Sequence, residues 1–177
     1  MSEITIVEKL LPGVTLLECP KYEDHRGIFI KLFHSDTMES LGLTFHPVET
    51  FLTRSKANVL RGMHFQAEEA AHDKLVFCPK GRVLDVIVDV NSESPHFNKP
   101  VALELSENDS TILLIGKGYA HDFLSLEEDS WMLYSTTTVH KPSLDCGVLW
   151  SSIDFQWPID SPILSERDCN HPTIQDL

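Results

Sequence analysis

With 177 residues, 42% of them hydrophobic and 23% charged, the chain is long enough for one domain with a sizeable core and too apolar for a disordered one. Fourteen basic side chains meet 27 acidic ones, for a formal net charge of −13, which argues against nucleic acid and anionic lipid as partners. No window approaches about eighteen continuous apolar residues, and Met1-Ser2-Glu3-Ile4-Thr5 lacks the basic and apolar blocks of a signal peptide; we expect a cytoplasmic protein whose Cys19, Cys78, Cys146 and Cys169 stay reduced, mostly as small buried hydrophobes.

In chain order, Val14–Leu17 and Gly27–Phe33 read as short strands. Ser35–Leu41 reads as a helix with Ser35 or Asp36 as its N-cap. Strands follow at His46–Ser55 and Val59–Phe65, parted by a turn at Lys56-Ala57-Asn58. Lys74–Phe77 runs into a turn at Pro79-Lys80-Gly81. Val83–Val90 is the clearest strand. Leu84, Val86, Val88 and Val90 make one face; Val83, Asp85, Ile87 and Asp89 make the other, which fits a strand between a packed core and a polar cavity. Val101–Leu105, Thr111–Ile115 and Trp131–Thr138 continue the series, and a short helical turn starts at Ser165. The Pro- and Asp-rich tail after Trp157 is expected to wrap the outside. Many short strands at this spacing argue for a β-sandwich or small barrel.

The densest chemistry lies in Leu60-Arg61-Gly62-Met63-His64-Phe65-Gln66, followed by His72-Asp73-Lys74 at a strand start. Then come Asp85 on the mixed strand face, Gly118-Tyr119-Ala120-His121-Asp122-Phe123, Tyr134-Ser135-Thr136-Thr137 and Leu164-Ser165-Glu166-Arg167-Asp168. No single piece is specific: a lone histidine or tyrosine on a strand is more often structural than catalytic. There is no C-x-x-C pair, G-x-G-x-x-G or Walker loop.

In order and spacing, from Asp24-His25-Arg26-Gly27 to Asp168, these pieces resemble the dTDP-4-dehydrorhamnose 3,5-epimerase family. The resemblance implies an all-β, cupin-type jelly-roll barrel with short peripheral helices, one domain over residues 1–177, and a homodimer. It implies no cofactor and no metal. The substrate it implies is a nucleotide-linked 4-keto sugar, inverted at C3, at C5 or at both. By resemblance His64 is the catalytic base, Asp168 its carboxylate partner, Lys74 the cation near the substrate carbonyl and Tyr134 the proton donor. Those residue types suit the chemistry. A C–H beside a ketone is weakly acidic, and a neutral imidazole can remove its proton near neutral pH. A carboxylate on the other ring nitrogen fixes the tautomer, and an ammonium lowers the energy of the developing enolate oxyanion. Inversion then requires a proton delivered to the opposite face, which a phenol can supply.

Arg26 and Arg61 are candidate cations for sugar or diphosphate. Gln66 and an Asp85–His121 pair are further candidates for shaping the substrate site. The chain departs from the family's usual types at Lys31, Glu49, Phe51, Gly116, Tyr119, Asp122, Val139 and His140. These neighbourhoods hold nucleotide or sugar in the family, so dTDP, GDP and CDP all stay open. Three other readings stand beside the epimerase. A metal-dependent cupin would carry His-x-His, but Gln66 fills the second place and is a poor transition-metal ligand. A noncatalytic sugar-binding cupin and a keto-sugar isomerase on the same fold complete the alternatives.

Overall fold

A computed structural model describes residues 3–177. The strands are β1 (Thr5–Leu11), β2 (Val14–Glu18), β3 (Lys21–Asp24), β4 (Gly27–Ile30), β5 (Glu49–Ser55), β6 (His64–Gln66), β7 (Lys74–Lys80), β8 (Arg82–Asp89), β9 (Val101–Ser106), β10 (Thr111–Ile115), β11 (Tyr119–Ser125), β12 (Ser130–Thr136) and β13 (Asp145–Gly147). The α-helices among the described residues are α1 (Ser35–Ser40) and α2 (Glu166–Cys169). Six strands pair in the order β1-β2-β10-β7-β12-β5, five in the order β13-β6-β11-β8-β9, and β3-β4 is a separate hairpin. Every strand pairing is antiparallel, which gives the two facing sheets of a cupin-type jelly roll.

Strand alternation sorts the side chains into three apolar layers. Between the sheets lie Val14, Val76, Val83, Ile87, Leu113, Ile115, Phe123 and Met132. Outside the six-stranded sheet, Leu17, Leu75, Phe77, Ile112 and Leu114 pack against Met38 of α1, Phe45 and Ile4. Outside the five-stranded sheet, Val86 and Val88 pack against Val148, Ile153 and Ile174 of the C-terminal segment. The end of the tail, at Ile174, thus lies on the outside, as expected, but its turn at Ser165 to Asp168 faces inward. The all-apolar face of β8 turns out to be the one under that tail. The mixed face supplies Val83 and Ile87 to the core between the sheets, and only Asp85 to the polar end.

Several sequence boundaries shift. The strand expected over Gly27–Phe33 stops at Ile30, and the one expected over Val59–Phe65 is reduced to β6 with isolated bridges at Val59 and Leu60. The chain breaks its ladder at Gly62, which passes so close to β11 that a Cβ there would sit 2.7 Å from the His121 carbonyl and 2.8 Å from the Asp122 side chain. Pro79 and Lys80 belong to β7, and the turn is confined to Gly81, at φ +76°. Helix α1 is capped by His34 rather than by Ser35 or Asp36: its Nδ1 accepts the Thr37 N–H at 3.3 Å, offering the lone pair that a Ser or Asp oxygen would. The thiols are all free, but only Cys19 and Cys78 are buried; Cys146 is half-buried and Cys169 exposed. No helix among the described residues is long and apolar enough to cross a membrane.

Candidate active site

A cavity of about 430 Å³ opens between the sheets at one end of the barrel. Its walls follow from the period-two alternation of strands. On the six-stranded sheet, Lys74 of β7 is directly opposite Thr136 of β12, and Tyr134 is directly opposite Phe51 of β5. These residues share the inward face and line the cavity. On the facing sheet, His64 of β6 is directly opposite His121 of β11, and Gln66 is opposite Asp145 of β13. These four line it too. His64 and Tyr134 therefore stand on opposite walls.

The third side comes from far along the chain. Leu60 N–H bonds to the Ile163 carbonyl and Ile163 N–H to the Asn58 carbonyl, which ties the tail beside the segment leading into β6. Two residues on, Ser165 caps α2 by accepting the Asp168 N–H at 3.1 Å. This turn delivers Asp168, 3% exposed, to His64, whose Nε2 lies 2.7 Å from Asp168 Oδ1. Burial works to raise the Asp168 pKa; the hydrogen bond and charge of His64 outweigh it, and the carboxyl ends below its ordinary range. An ionised carboxylate on Nε2 places the proton of a neutral His64 there and leaves Nδ1 as the basic nitrogen.

Lys74 bridges the sheets. Its ammonium donates to the His64 carbonyl at 3.0 Å, and the side chain is nearly buried. Burial lowers its pKa to about 8, against partial restoration by Asp145 and Asp85. Tyr134 is 6% exposed, stacked on Phe51 with centroids 4.8 Å apart and edge-on to His121 at 6.0 Å. Burial, then the charge of Asp85, pushes its pKa well above the usual phenol value, so it stays protonated.

The other sequence candidates separate. Both Asp85 carboxylate oxygens lie 2.9 Å from His121 Nε2; His121 lines the cavity and Asp85 is fully buried behind it. Arg61 lines the cavity, held by Ser55 Oγ at 2.9 Å and the Arg54 carbonyl at 3.3 Å. Gln66 lines it as well, but both ends of its amide are engaged: Oε1 accepts the Lys141 N–H at 2.7 Å and Nε2 donates to His72 Nδ1 at 3.0 Å. It braces the wall. Arg26 is absent from the lining; it sits on the β3–β4 hairpin, exposed, in an ion pair with Asp24.

Sequence reasoning missed Arg167, Asp145, His72 and His171. Arg167 Nη1 lies 2.7 Å from Asp145 Oδ2, adding a third cation, beside Arg61 and Lys74, to a cavity whose lining also carries Glu49, Asp145 and Asp168. Burial raises the Asp145 pKa, but bonds from Arg167 and His140 outweigh it and hold it low. His72 is driven down to about 4, chiefly by burial and then by Lys74, so it is neutral. The Ser-Glu-Arg-Asp turn was legible, but only the long-range tie to Asn58–Leu60 shows that Arg167 faces inward.

A family model described as dTDP-4-dehydrorhamnose 3,5-epimerase matches residues 8–176. The chain belongs to the dTDP-4-dehydrorhamnose 3,5-epimerase family. It is accordingly an epimerase, of the isomerase class. The Salmonella typhimurium protein named dTDP-4-dehydrorhamnose 3,5-epimerase is 38% identical over 173 residues, covering 96% of this chain and 94% of its own. A crystal structure of the Bacillus anthracis epimerase with TDP and PPi bound superimposes with a TM-score of 0.92 at 33% identity, over 96% of this chain and 99% of that one. A Legionella pneumophila structure, titled dTDP-6-deoxy-D-glucose-3,5-epimerase in complex with dTDP-4-keto-L-rhamnose, gives a TM-score of 0.92 at 29% identity, over 98% and 94%. The epimerase departs from the family's usual glycine at Asp122, whose fully buried carboxyl abuts Gly62. Burial first, then the charges of Asp168 and Asp85, pushes its pKa well above the carboxylate range.

Proposed function

We propose that this epimerase inverts the carbons on either side of the C4 ketone of a dTDP-linked 4-keto-6-deoxyhexose, through an enolate. The placement of His64 and Tyr134 on opposite walls of one cavity supports this most. A sugar ring lying between the sheets offers one face to the imidazole and the other to the phenol. His64 Nδ1 removes the proton next to the ketone, and Asp168 stabilises the resulting imidazolium. The Lys74 ammonium stabilises the enolate oxygen. Tyr134 protonates the carbon from the far side. Arg61 and Arg167 provide positive charge for the diphosphate, and the Asp85–His121 pair fixes the imidazole that forms part of the sugar's wall. The nucleotide follows the names of relatives such as the Salmonella typhimurium, Bacillus anthracis and Legionella pneumophila proteins, which carry dTDP or TDP.

A panel of dTDP-, GDP- and CDP-linked 4-keto sugars in deuterated water, read by NMR and mass spectrometry, tests this directly. The dTDP sugar should turn over with kcat/KM of roughly 10⁴ M⁻¹s⁻¹ or more, with deuterium entering at both C3 and C5. Preference for a GDP or CDP sugar would replace the thymidine assignment, and label at one carbon would make the enzyme a mono-epimerase. The pH profile checks the role of Lys74. Its ammonium is present below about pH 8 and lost above it, because burial has lowered the pKa from 10.5. The kcat/KM of the free enzyme should therefore fall as pH rises through about 8. Lys74→Met should remove that limb and cost roughly 10²–10³-fold, the usual effect of losing an oxyanion donor. An unchanged limb in Lys74→Met would assign it to another group.

We infer further that the enzyme acts in the cytoplasm as a homodimer. Val48 and Leu52 on or beside the edge strand β5, and Ile28 and Phe29 on the hairpin, are exposed apolar side chains of the kind an interface covers. Arg26 is not part of its own chain's cavity wall, so as a substrate contact it would reach the cavity of a second copy. Sedimentation should give twice the 20.0 kDa chain mass; a mass of one chain would remove both the dimer and the role of Arg26.

A further inference from the structure

His171 takes no part in the proton transfers, yet it sits against their centre. Its side chain is only 9% exposed, and its Nε2 is buried without a hydrogen-bond partner. A buried polar nitrogen left unpaired costs free energy and calls for an explanation. The ring rests on Gly147, where a Cβ would come within 2.3 Å of Nε2, so the absence of a side chain there makes the seat for the imidazole. It stands edge-on to His64 with centroids 5.5 Å apart. Its Nε2 lies 3.6 Å from Asp168 Oδ1, the same oxygen that is 2.7 Å from His64 Nε2. One atom from each of the three side chains falls within 4.8 Å of the others.

We propose that His64, Asp168 and His171 form an inhibitory binding site for a borderline divalent cation of the zinc class. Two imidazole nitrogens and one carboxylate oxygen are a zinc-type donor set, and three protein ligands leave a fourth position for water. Zinc at about 2.0–2.1 Å from each donor sets neighbouring ligand atoms roughly 3.3 Å apart. Two of the three separations, 2.7 and 3.6 Å, bracket that value and the third lies within 4.8 Å, so the two imidazoles turn toward each other to close the site.

The consequence for His64 follows from proton bookkeeping. Zinc takes the Nε2 lone pair and replaces the hydrogen bond to Asp168. The single proton of the neutral imidazole moves to Nδ1, and no proton is released from the ring. Nδ1 then cannot accept a proton from substrate. The inhibition rests on the reading of His64 as the base; the binding does not.

Titration calorimetry with Zn²⁺ on the full chain, in chelator-free buffer near neutral pH, tests the site. Wild type should take up one zinc per chain. His171→Asn should weaken that binding by more than about tenfold, the least that even an outer-shell partner is worth. Cys169→Ser should bind as wild type, which separates the site from the exposed thiol on the same turn. Turnover of wild type should be inhibited by zinc and restored by EDTA, whereas turnover of His171→Asn should be insensitive. Co²⁺ on unmutated protein should give the intense visible bands of a four- or five-coordinate site, so the test survives a variant that fails to fold. Equal zinc affinity in wild type and His171→Asn, loss of binding in Cys169→Ser, or only weak octahedral cobalt bands would overturn the site. Zinc bound through His171 with turnover untouched would overturn the inhibition, and with it the reading of His64 as the base.

Discussion

Replacing His64 with asparagine should lower turnover by about 10²–10⁴-fold, the usual worth of a general acid–base group. Asparagine is close to the imidazole in size and can keep a hydrogen bond to Asp168, but its amide takes no proton near neutral pH. The loss should therefore fall on kcat, with the fold unchanged by circular dichroism. The magnitude depends on how firmly the dyad is held. Asp168 is fixed by the Ser165 cap, and its turn is fixed by the Ile163 pairing with Asn58 and Leu60. The base is therefore set in orientation and tautomer before substrate arrives, as proximity effects require. A loss of less than about tenfold would move the base elsewhere, and His121, across β11 from His64, is the next imidazole on that wall.

Tyr134→Phe should cost a similar factor in product formation, roughly 10²–10⁴-fold, while leaving the wall intact. Phenylalanine keeps the stack on Phe51 and the edge contact with His121, and it removes only the hydroxyl. Burial keeps that hydroxyl protonated across the working pH range, which suits a donor. The effect should appear as a flat loss from acid to alkaline pH, because no titration of the phenol intervenes. A variant that forms product at the wild-type rate would make Tyr134 a core aromatic only.

How much was legible in the sequence differs between fold and site. Strand β8 was readable because its two faces carry different chemistry, and β10 because it is a short apolar run buried on both faces. Strand β1 was missed: its side chains are mostly exposed or half-buried, so no apolar face marks it. Strand β13 has three residues and borrows its identity from pairing with β6. His64, Lys74, Tyr134 and Asp168 were named from ordered motifs, and the structure gathers them around one cavity. Arg26 was named by the same means and lies away from the cavity, because an ordered motif carries no information about where its hairpin folds. His171 and Arg167 were beyond reach, since their seats against Gly147 and Asp145 depend on how the tail folds back on β13. The His34 cap was missed for a local reason: an imidazole nitrogen replaced the usual oxygen.

The opposition of base and acid is tested most directly by measuring deuterium at the substrate carbon in unreacted sugar recovered from deuterated water. With Tyr134→Phe, His64 should still form the enolate and return a solvent deuteron to the original face, so recovered substrate should carry label with little inverted product. With His64→Asn, neither label nor product should appear. Label-free substrate from Tyr134→Phe, or labelled substrate from His64→Asn, would contradict the assignment of His64 as base and Tyr134 as the acid on the opposite wall.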